Sequence, residues 1–444
     1  MELPWSLQHQ RLRAVGITFF CYTIYSGVRQ ATSITKETLS TTYAPFNDDD
    51  AAWGTLFLGL VDFVYLASYA AWQFVVTKLV LRWDLNLARL AAFGLAGSGV
   101  CLVLMGAGGS AGVHSLAYFL AIQTLHGAFQ ACGWISCLTV TIRWLDPSYR
   151  LALALGLWNA HSSIGSIVVK VLGSRFLLTE WSWTGVYYGL GVLTLLSAVL
   201  VWCTLDERKP ISSTIIASPS SPSSPLSSPQ NWYRSSVLVW RVACYCVCYF
   251  FAKIVSNLFG SWLPYYLSSH YDAAATATAI SAMYDVGGVC GGIGTGFVCD
   301  YYDKRRTATT SVVCFVACAP LLGLFVAVQG AGNAWASGFW MLLIGVAVQA
   351  PCSLVSSVVV ADLKESDANH DPRALATMTG LVNGAGSIGS ATQAIAVGLA
   401  APAIGWDNIF YALIVCCLMA SAPLLPSAWH EVRDNSASLS RTPP

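Results

Sequence analysis

The sequence predicts an all-α polytopic membrane protein: twelve membrane-spanning helices arranged as two pseudo-symmetric six-helix bundles. Three observations carry this. Of 444 residues, 55% are hydrophobic and only 10% charged, against about 25% charged in soluble domains, which is the composition of a chain whose surface faces lipid. Apolar runs of about 20 residues or more recur along it, and in lipid such runs must be helical, because backbone polar groups there need internal partners. The chain also repeats itself. RLALALGLWNAHSSIGS at 150–166 is echoed by ALATMTGLVNGAGSIGS at 374–390, an offset of 224 that superimposes Gly156 on Gly380, Asn159 on Asn383 and Ser163-Ile164-Gly165-Ser166 on Ser387-Ile388-Gly389-Ser390. The same offset carries Arg29 onto Lys253, and an offset of 223 carries Asp62 onto Asp285. Charges inside apolar segments are costly and mark function.

Residues 1–13 read as a short tail with Arg11 and Arg13. The apolar run from Ala14 has no small-residue cleavage site before Arg29, so it reads as a retained first span. Further spans fall at about 51–77, 87–108, 113–142, 151–174 and 183–204, completing a first bundle over 1–205. Residues 206–234 are DERKP followed by a Ser/Pro tract, a composition that buries no core and reads as a flexible linker. Spans at about 236–268, 274–299, 307–328, 335–361, 373–400 and 405–427 make a second bundle, 235–430, followed by a polar tail, 431–444.

Six spans on each side of the linker put both termini and every even-numbered connection on one side. That side collects Lys78, Arg82, Arg89, Arg143, Arg150, Arg208, Lys209, Arg234, Lys304, Arg305, Arg306, Lys364 and Arg373. The connections of the other side hold Lys36 and Arg175, with the acidic run Asp48-Asp49-Asp50. By the positive-inside rule the termini, linker and tail are cytosolic.

Several function classes drop out. A net charge of +1 speaks against a nucleic-acid partner. Cys244, Cys246 and Cys248 recur with period two, which on a helix turns their side chains to different faces and builds no metal site. GGVCGGIGTG at 287–296 lies inside a span with no Lys-Ser or Lys-Thr after it, so it is a helix-packing surface and not a phosphate-cradling loop. With no Walker motif, energy comes from a gradient. With no nucleophile–base pair, metal cluster or cofactor motif, the chain reads as no enzyme.

What remains is a polar set inside the spans. Arg29 and Lys253 occupy one position of the repeat, and so face each other across its pseudo-two-fold axis. Two unpaired cations in low dielectric call for a dianion, and a phosphate monoester supplies one with several acceptor oxygens. His161 has no repeat partner, its counterpart being Ala385, but shares a polar stripe with Asn159 and Ser163 and reads as a phosphate donor. Asp62 and Asp285 read as structural, each paired with a helix terminus or a neighbouring Tyr. Lys170, nine residues past His161, reads as snorkelling to the interface. Gly296, Asp300 and Lys304-Arg305-Arg306 stand at the cytosolic mouth of the eighth span.

Gly296, Asp300 and Arg305 form a Gly-x-x-x-Asp-plus-basic pattern similar to the signature loop of the major facilitator superfamily. More narrowly, the chain resembles the sugar-phosphate exchangers of solute carrier family 37, relatives of the bacterial glycerol-3-phosphate and hexose-phosphate antiporters. The resemblance runs through YAPF (43–46), Gly133-Trp134 after Gln130, GLWNAHSSIGSI (156–167), FAKIVSNLFGSWLPYYL (251–267), YDVGGVCGGI (284–293) and the 374–390 repeat. It covers essentially everything outside the linker and tails. It implies the major facilitator fold, an endoplasmic reticulum membrane, and substrate contacts from Arg29, Tyr25 one turn before it, Tyr69, Trp134, His161 and Lys253. The chain departs from the family at Gln30, where the family carries lysine, at Ile135, where it carries proline, and at TKLVLRWDLN (77–86), which lacks the loop glycine and acid.

The expected function is an antiporter that exchanges a sugar phosphate, of the glucose-6-phosphate or glycerol-3-phosphate class, for inorganic phosphate by alternating access. An empty site leaves Arg29 and Lys253 desolvated together, which slows return of the unloaded carrier and favours exchange. The alternatives are a proton-coupled organic-anion symporter using Asp62 or Asp285, and a sugar-phosphate sensor without transport.

Overall fold

The structure, a computed structural model, describes residues 5–439 apart from 48–50, 84, 145–150, 206–235, 272–273, 302–306, 330–332 and 367–371. The expected linker at 206–234, the run Asp48-Asp49-Asp50 and Arg305 lie outside the described residues, and so does the side chain of Asp300.

Helices make up most of the described chain. The first six spans are α1 (Trp5–Val28) with α2 (Gln30–Thr42), α3 (Ala51–Trp83), α4 (Leu87–Ser110), α5 (Leu116–Trp144), α6 (Leu151–Asn159) with α7 (His161–Leu177), and α8 (Ser182–Thr204). The last six are α9 (Ser236–Ser261) with α10 (Leu263–Ser268), α11 (Ala274–Tyr301), α12 (Thr307–Gln329), α13 (Ala334–Ser366), α14 (Pro372–Ile404) and α15 (Trp406–Ser421), which leads into α16 (Leu425–Leu439). Among the described residues, α3, α4, α5, α8, α9, α12, α13, α14 and α15 contain stretches long and apolar enough to cross a membrane. The other three expected spans, α1–α2, α6–α7 and α11, carry Arg29, His161 and Asp285. Polar residues lower their apolarity, and two of them are split.

The repeat is visible in the packing. In the first six spans α1 packs on α7, α3 on α5 and α4 on α8; in the last six α9 packs on α14, α11 on α13 and α12 on α15. The repeated Ser-Ile-Gly-Ser has a physical reason. A Cβ on Gly165 would run into the backbone oxygen of Thr23 in α1, and one on Gly389 into that of Phe250 in α9. Only glycine lets these backbones cross so closely. The glycine run at 287–296 does the same work: Gly287 and Gly291 meet the backbone of α13, while Gly292 faces Gly156 of α6.

Two differences from the sequence reading concern the chain's ends and connections. The expected polar tail is helical to Leu439. Its Glu431 accepts hydrogen bonds from the backbone N–H groups of Ala308 (2.9 Å) and Thr309 (2.8 Å), satisfying donors that the start of α12 leaves open. Lys36 was expected in a connection, but the first span continues as α2 and carries it inward.

The halves meet where α3 packs on α14, α11 on α6 and α7, and α2 on α9 and α10. Two buried ion pairs sit at this seam. Lys36, 0% exposed, donates to Asp62 Oδ2 at 2.5 Å and to the Ser261 carbonyl of α9 at 2.8 Å, with its ammonium 3.6 Å from the Trp262 ring centroid. Pro264 explains part of this seam. It has no N–H, so the Gly260 carbonyl loses its helical donor, and Ser33 of α2 donates to it instead at 2.9 Å.

Lys170, also 0% exposed, overturns the snorkelling reading. Its ammonium donates to Asp285 Oδ2 at 2.6 Å and Ser281 Oγ at 2.7 Å, directly joining α7 to α11. A fully buried lysine beside a facing carboxylate is held more firmly by that charge than by a distant headgroup region. Asp62 and Asp285 are thus paired, but their partners are lysines and not helix ends or tyrosines.

Breaking such a pair leaves a buried charge alone, whereas replacing both members by apolar groups does not. Lys170→Met is therefore expected to destabilise the purified protein by about 3–5 kcal/mol, and Lys170→Met combined with Asp285→Leu by much less. Thermal unfolding in detergent, compared among single, double and parent proteins, checks the order.

Candidate functional site

A cavity of about 230 Å³ lies between the two halves. Three interrupted helices border it. The first span is split at Arg29 and the fifth at Ala160, where single residues with helical angles (φ −61°, ψ −24° and φ −58°, ψ −20°) loosen the turn; the seventh is split at Trp262 (φ −121°, ψ −14°). Split helices at the midplane are a recurrent way to present polar groups inside a membrane protein. Arg29 and Gln30, Asn159 and His161, and Gly260 and Ser261 all line the cavity beside these breaks.

Of the residues singled out from the sequence, Arg29, Tyr69, Trp134, Asn159, His161 and Lys253 come together on the cavity wall, as do Asp62 and Asp285 at its margin. Tyr25 does not. It is 0% exposed and donates its hydroxyl to the Ala91 carbonyl of α4 at 2.7 Å. Its place is taken by Tyr22, which lines the cavity and whose hydroxyl accepts from Arg29 Nη2 at 3.2 Å. Helical spacing holds the signal: seven residues bring Tyr22 back to within about 20° of the direction of Arg29, whereas four leave Tyr25 about 40° off. Gly296 and Asp300 sit near the end of α11, away from this cluster.

Arg29 is held by an internal network. Its Nε donates to Gln130 Oε1 at 3.1 Å, and its guanidinium lies 4.7 Å from the Tyr69 ring centroid. Gln130 Nε2 donates to Ser98 Oγ (2.9 Å), Ser98 bonds His126 Nε2 (2.8 Å), and His126 Nδ1 bonds Gln123 Oε1 (3.1 Å). Gln123 Nε2 then donates to Thr32 Oγ1 at 3.1 Å. Only one tautomer satisfies every link: Nδ1–H donates to Gln123 while Nε2 accepts from the Ser98 hydroxyl. Gln123, His126 and Gln130 recur at three and four residues along α5, a buried polar stripe that the sequence reading passed over except for naming Gln130.

His161 is 1% exposed. Its ring packs edge-on against Tyr22 and Trp158, with centroids 4.5 Å away in each case. Nδ1 is 3.5 Å from Ser26 Oγ, and Nε2 has no hydrogen-bond partner among the described residues. Tyr65, Tyr284 and Gln30 line the same cavity, and each likewise leaves a buried oxygen without a partner. Buried polar atoms in proteins are almost always paired, and four without a partner among the described residues stand around this cavity.

The charges tell the same story. Lys36 and Lys170 each hold a carboxylate at the cavity's margin. Arg29 and Lys253 face the cavity with tyrosines and amides about them, and neither pairs with a carboxylate among the described residues. Lys253 projects from an unbroken α9 with its ammonium 5.3 Å from the Tyr249 ring centroid. Around it the second half supplies neutral polar groups: Ser256, Asn257, Gln349 and Asn383. Such a cavity can bind a compact anion joined to a neutral polar body.

Comparison with known proteins gives the family. The family model described as Major Facilitator Superfamily matches residues 18–370. An Arabidopsis thaliana protein named "Putative glycerol-3-phosphate transporter 3" is 32% identical over 440 residues, covering 91% of this chain and 84% of its own length. A second from that plant, "Putative glycerol-3-phosphate transporter 5", is 32% identical over 465 residues, covering 96% and 92%. The Bos taurus glucose-6-phosphate exchanger SLC37A2 is 29% identical over 487 residues, covering 96% and 95%. The chain is a multi-pass membrane protein that belongs to the Major Facilitator Superfamily, similar along nearly its whole length to members named for sugar-phosphate transport.

Proposed function

We propose that this protein is an antiporter, and no enzyme, that exchanges a sugar phosphate of the glucose-6-phosphate or glycerol-3-phosphate class for inorganic phosphate. The observation that carries the reading is the charge balance of the cavity. Two cations at its margin are neutralised by aspartates, while the two that face it have no carboxylate among the described residues. A phosphate dianion supplies what Arg29 and Lys253 lack, with Arg29 offering a planar fork and Lys253 a point charge. His161 Nε2, Tyr22, Tyr69, Trp134 and Asn159 complete the proposed binding wall. The names of the relatives support the substrate class.

Exchange follows from the cost of the empty site, which holds two desolvated cations and resists reorientation until an anion returns. Asp62 and Asp285, already held by lysines, favour anion exchange over proton coupling. In this reading the two ion pairs, about two helical turns beyond Arg29 and His161, close the cavity on the side away from the termini. Gly296, Asp300 and Arg305 serve the opposite mouth. The protein is assigned to the endoplasmic reticulum membrane, on the resemblance to family 37, with both termini and the linker in the cytosol. The lopsided lysine and arginine count supports that orientation, more so now that Lys36 has left the connections.

Counterflow into phosphate-loaded liposomes with a panel of sugar and triose phosphates tests the function. Arg29→Ala and Lys253→Ala are each expected to abolish it, at about 3 kcal/mol or more, over a hundredfold in affinity; Lys253→Arg keeps part. Parent-level uptake by Arg29→Ala removes the anion site from the reading.

For His161→Ala, loss of one donor to a charged group is expected to weaken phosphate binding by about 1.5–3 kcal/mol. Unchanged affinity combined with a lower folded yield instead makes His161 a packing residue only.

A tag at residue 1, at 444 or near Ser220 is expected to be reached from the cytosol in selectively permeabilised cells, and one at Asp48–Asp50 protected. Protection of the Ser220 tag reverses the orientation.

A further inference from the structure

Gln30 brings to the cavity a group that a phosphate dianion cannot use, a side-chain carbonyl oxygen. It opens α2 directly after Arg29 and lines the cavity. Its side chain reaches toward the facing half: Nε2 lies 3.8 Å from the place a Cβ would take on Gly260 of α9. Its Oε1 is buried and receives no hydrogen bond among the described residues. The adjacent cation does not serve it: the side-chain hydrogen bonds of Arg29 go to Gln130 and Tyr22. A phosphate ester dianion cannot serve it either, since its oxygens only accept. A buried acceptor without a donor bears its full desolvation cost, so this atom asks for a guest that brings an O–H.

A second acceptor faces the same space from the other half. Asn257 lies four residues beyond Lys253 on α9, one turn toward the ion pairs, and lines the cavity. Its Nδ2 is committed to Gln393 Oε1 at 2.6 Å. Its Oδ1 is available to accept from a ligand. Each half therefore places a carboxamide oxygen on the cavity wall close beyond its cation.

We propose that Gln30, with Asn257 opposite, selects the organic end of the substrate by accepting hydrogen bonds from its hydroxyls. This rests on the phosphate-ester reading of the cavity above and assigns to these two residues the recognition of the hydroxylated end. Esters with a bare alkyl end leave both acceptors unsatisfied, and a carboxylate end meets them as a third acceptor. Both are bound more weakly.

The test compares two ligands of equal chain length, glycerol 3-phosphate and propyl phosphate, by titration calorimetry on the purified full-length protein. The unmodified protein is expected to bind glycerol 3-phosphate about tenfold more tightly, the worth of one or two hydrogen bonds. In Gln30→Leu and Gln30→Met the ratio is expected to narrow to about threefold or less, whatever happens to each affinity. Equal binding of the two esters by the unmodified protein overturns the proposal, as does failure to bind either, or an undiminished ratio in both variants. Phosphate-for-phosphate counterflow by the unmodified protein runs alongside. Absent flux with the ratio intact overturns exchange and leaves the selection by Gln30 standing; intact flux with no ratio does the reverse.

Discussion

A charge placed between membrane-spanning helices is tolerated when something nearby answers it, and the seam between the halves of this protein is organised by that requirement. Among the described residues, four cations project into it. Lys36 and Lys170 are answered by Asp62 and Asp285 within hydrogen-bonding distance. Arg29 and Lys253 are answered by rings, hydroxyls and one amide, groups that orient a cation without neutralising it. The first two fasten the halves to each other. The second two keep a site of positive potential open between them, which in the proposed function an anion fills in each half of the transport cycle.

The surroundings of the two open cations differ, and the difference suits a substrate with unlike ends. Arg29 is braced from behind by the Gln130–Ser98–His126–Gln123–Thr32 chain, which is satisfied throughout with a neutral His126. A network satisfied at every link is rigid, so the guanidinium fork is presented in one orientation. Lys253 has the Tyr249 ring beside it and a wall of serine and carboxamide groups around it. One half thus holds its charge rigidly, while the other offers charge together with several neutral partners.

The same asymmetry interrupts the internal repeat. Gly165 and Gly389 make equivalent backbone crossings, and the helix pairs of one half recur in the other. Yet the first and fifth spans are split at Arg29 and Ala160, while α9 and α14 run unbroken through Lys253 and Gly384. Packing between helices is a property of small residues at fixed spacings, and it was duplicated with them. The breaks lie where polar side chains face the cavity, and there the two halves diverged.

How much of this was legible beforehand follows from the range of the forces involved. Spans, repeat, helix-packing glycines and the residues of the proposed anion site were readable in the sequence, because each depends on a local composition or on the offset of 224 between like residues. Family resemblance added Tyr69 and Trp134 to that set, and it misassigned Tyr25, whose hydroxyl finds a carbonyl of α4 that spacing along one helix cannot reveal. The partners of Asp62 and Asp285 were out of reach for the same reason. Asp285 is 115 residues from Lys170, and Asp62 meets a lysine that a hydropathy reading leaves in a loop. Composition and periodicity determined by themselves that this chain is a twelve-span, two-fold bundle with cations in its centre. Only the tertiary structure decided which of those cations are neutralised, because a charge is answered by whatever the packing of distant helices brings within about 3 Å, and no pattern along a single helix records that.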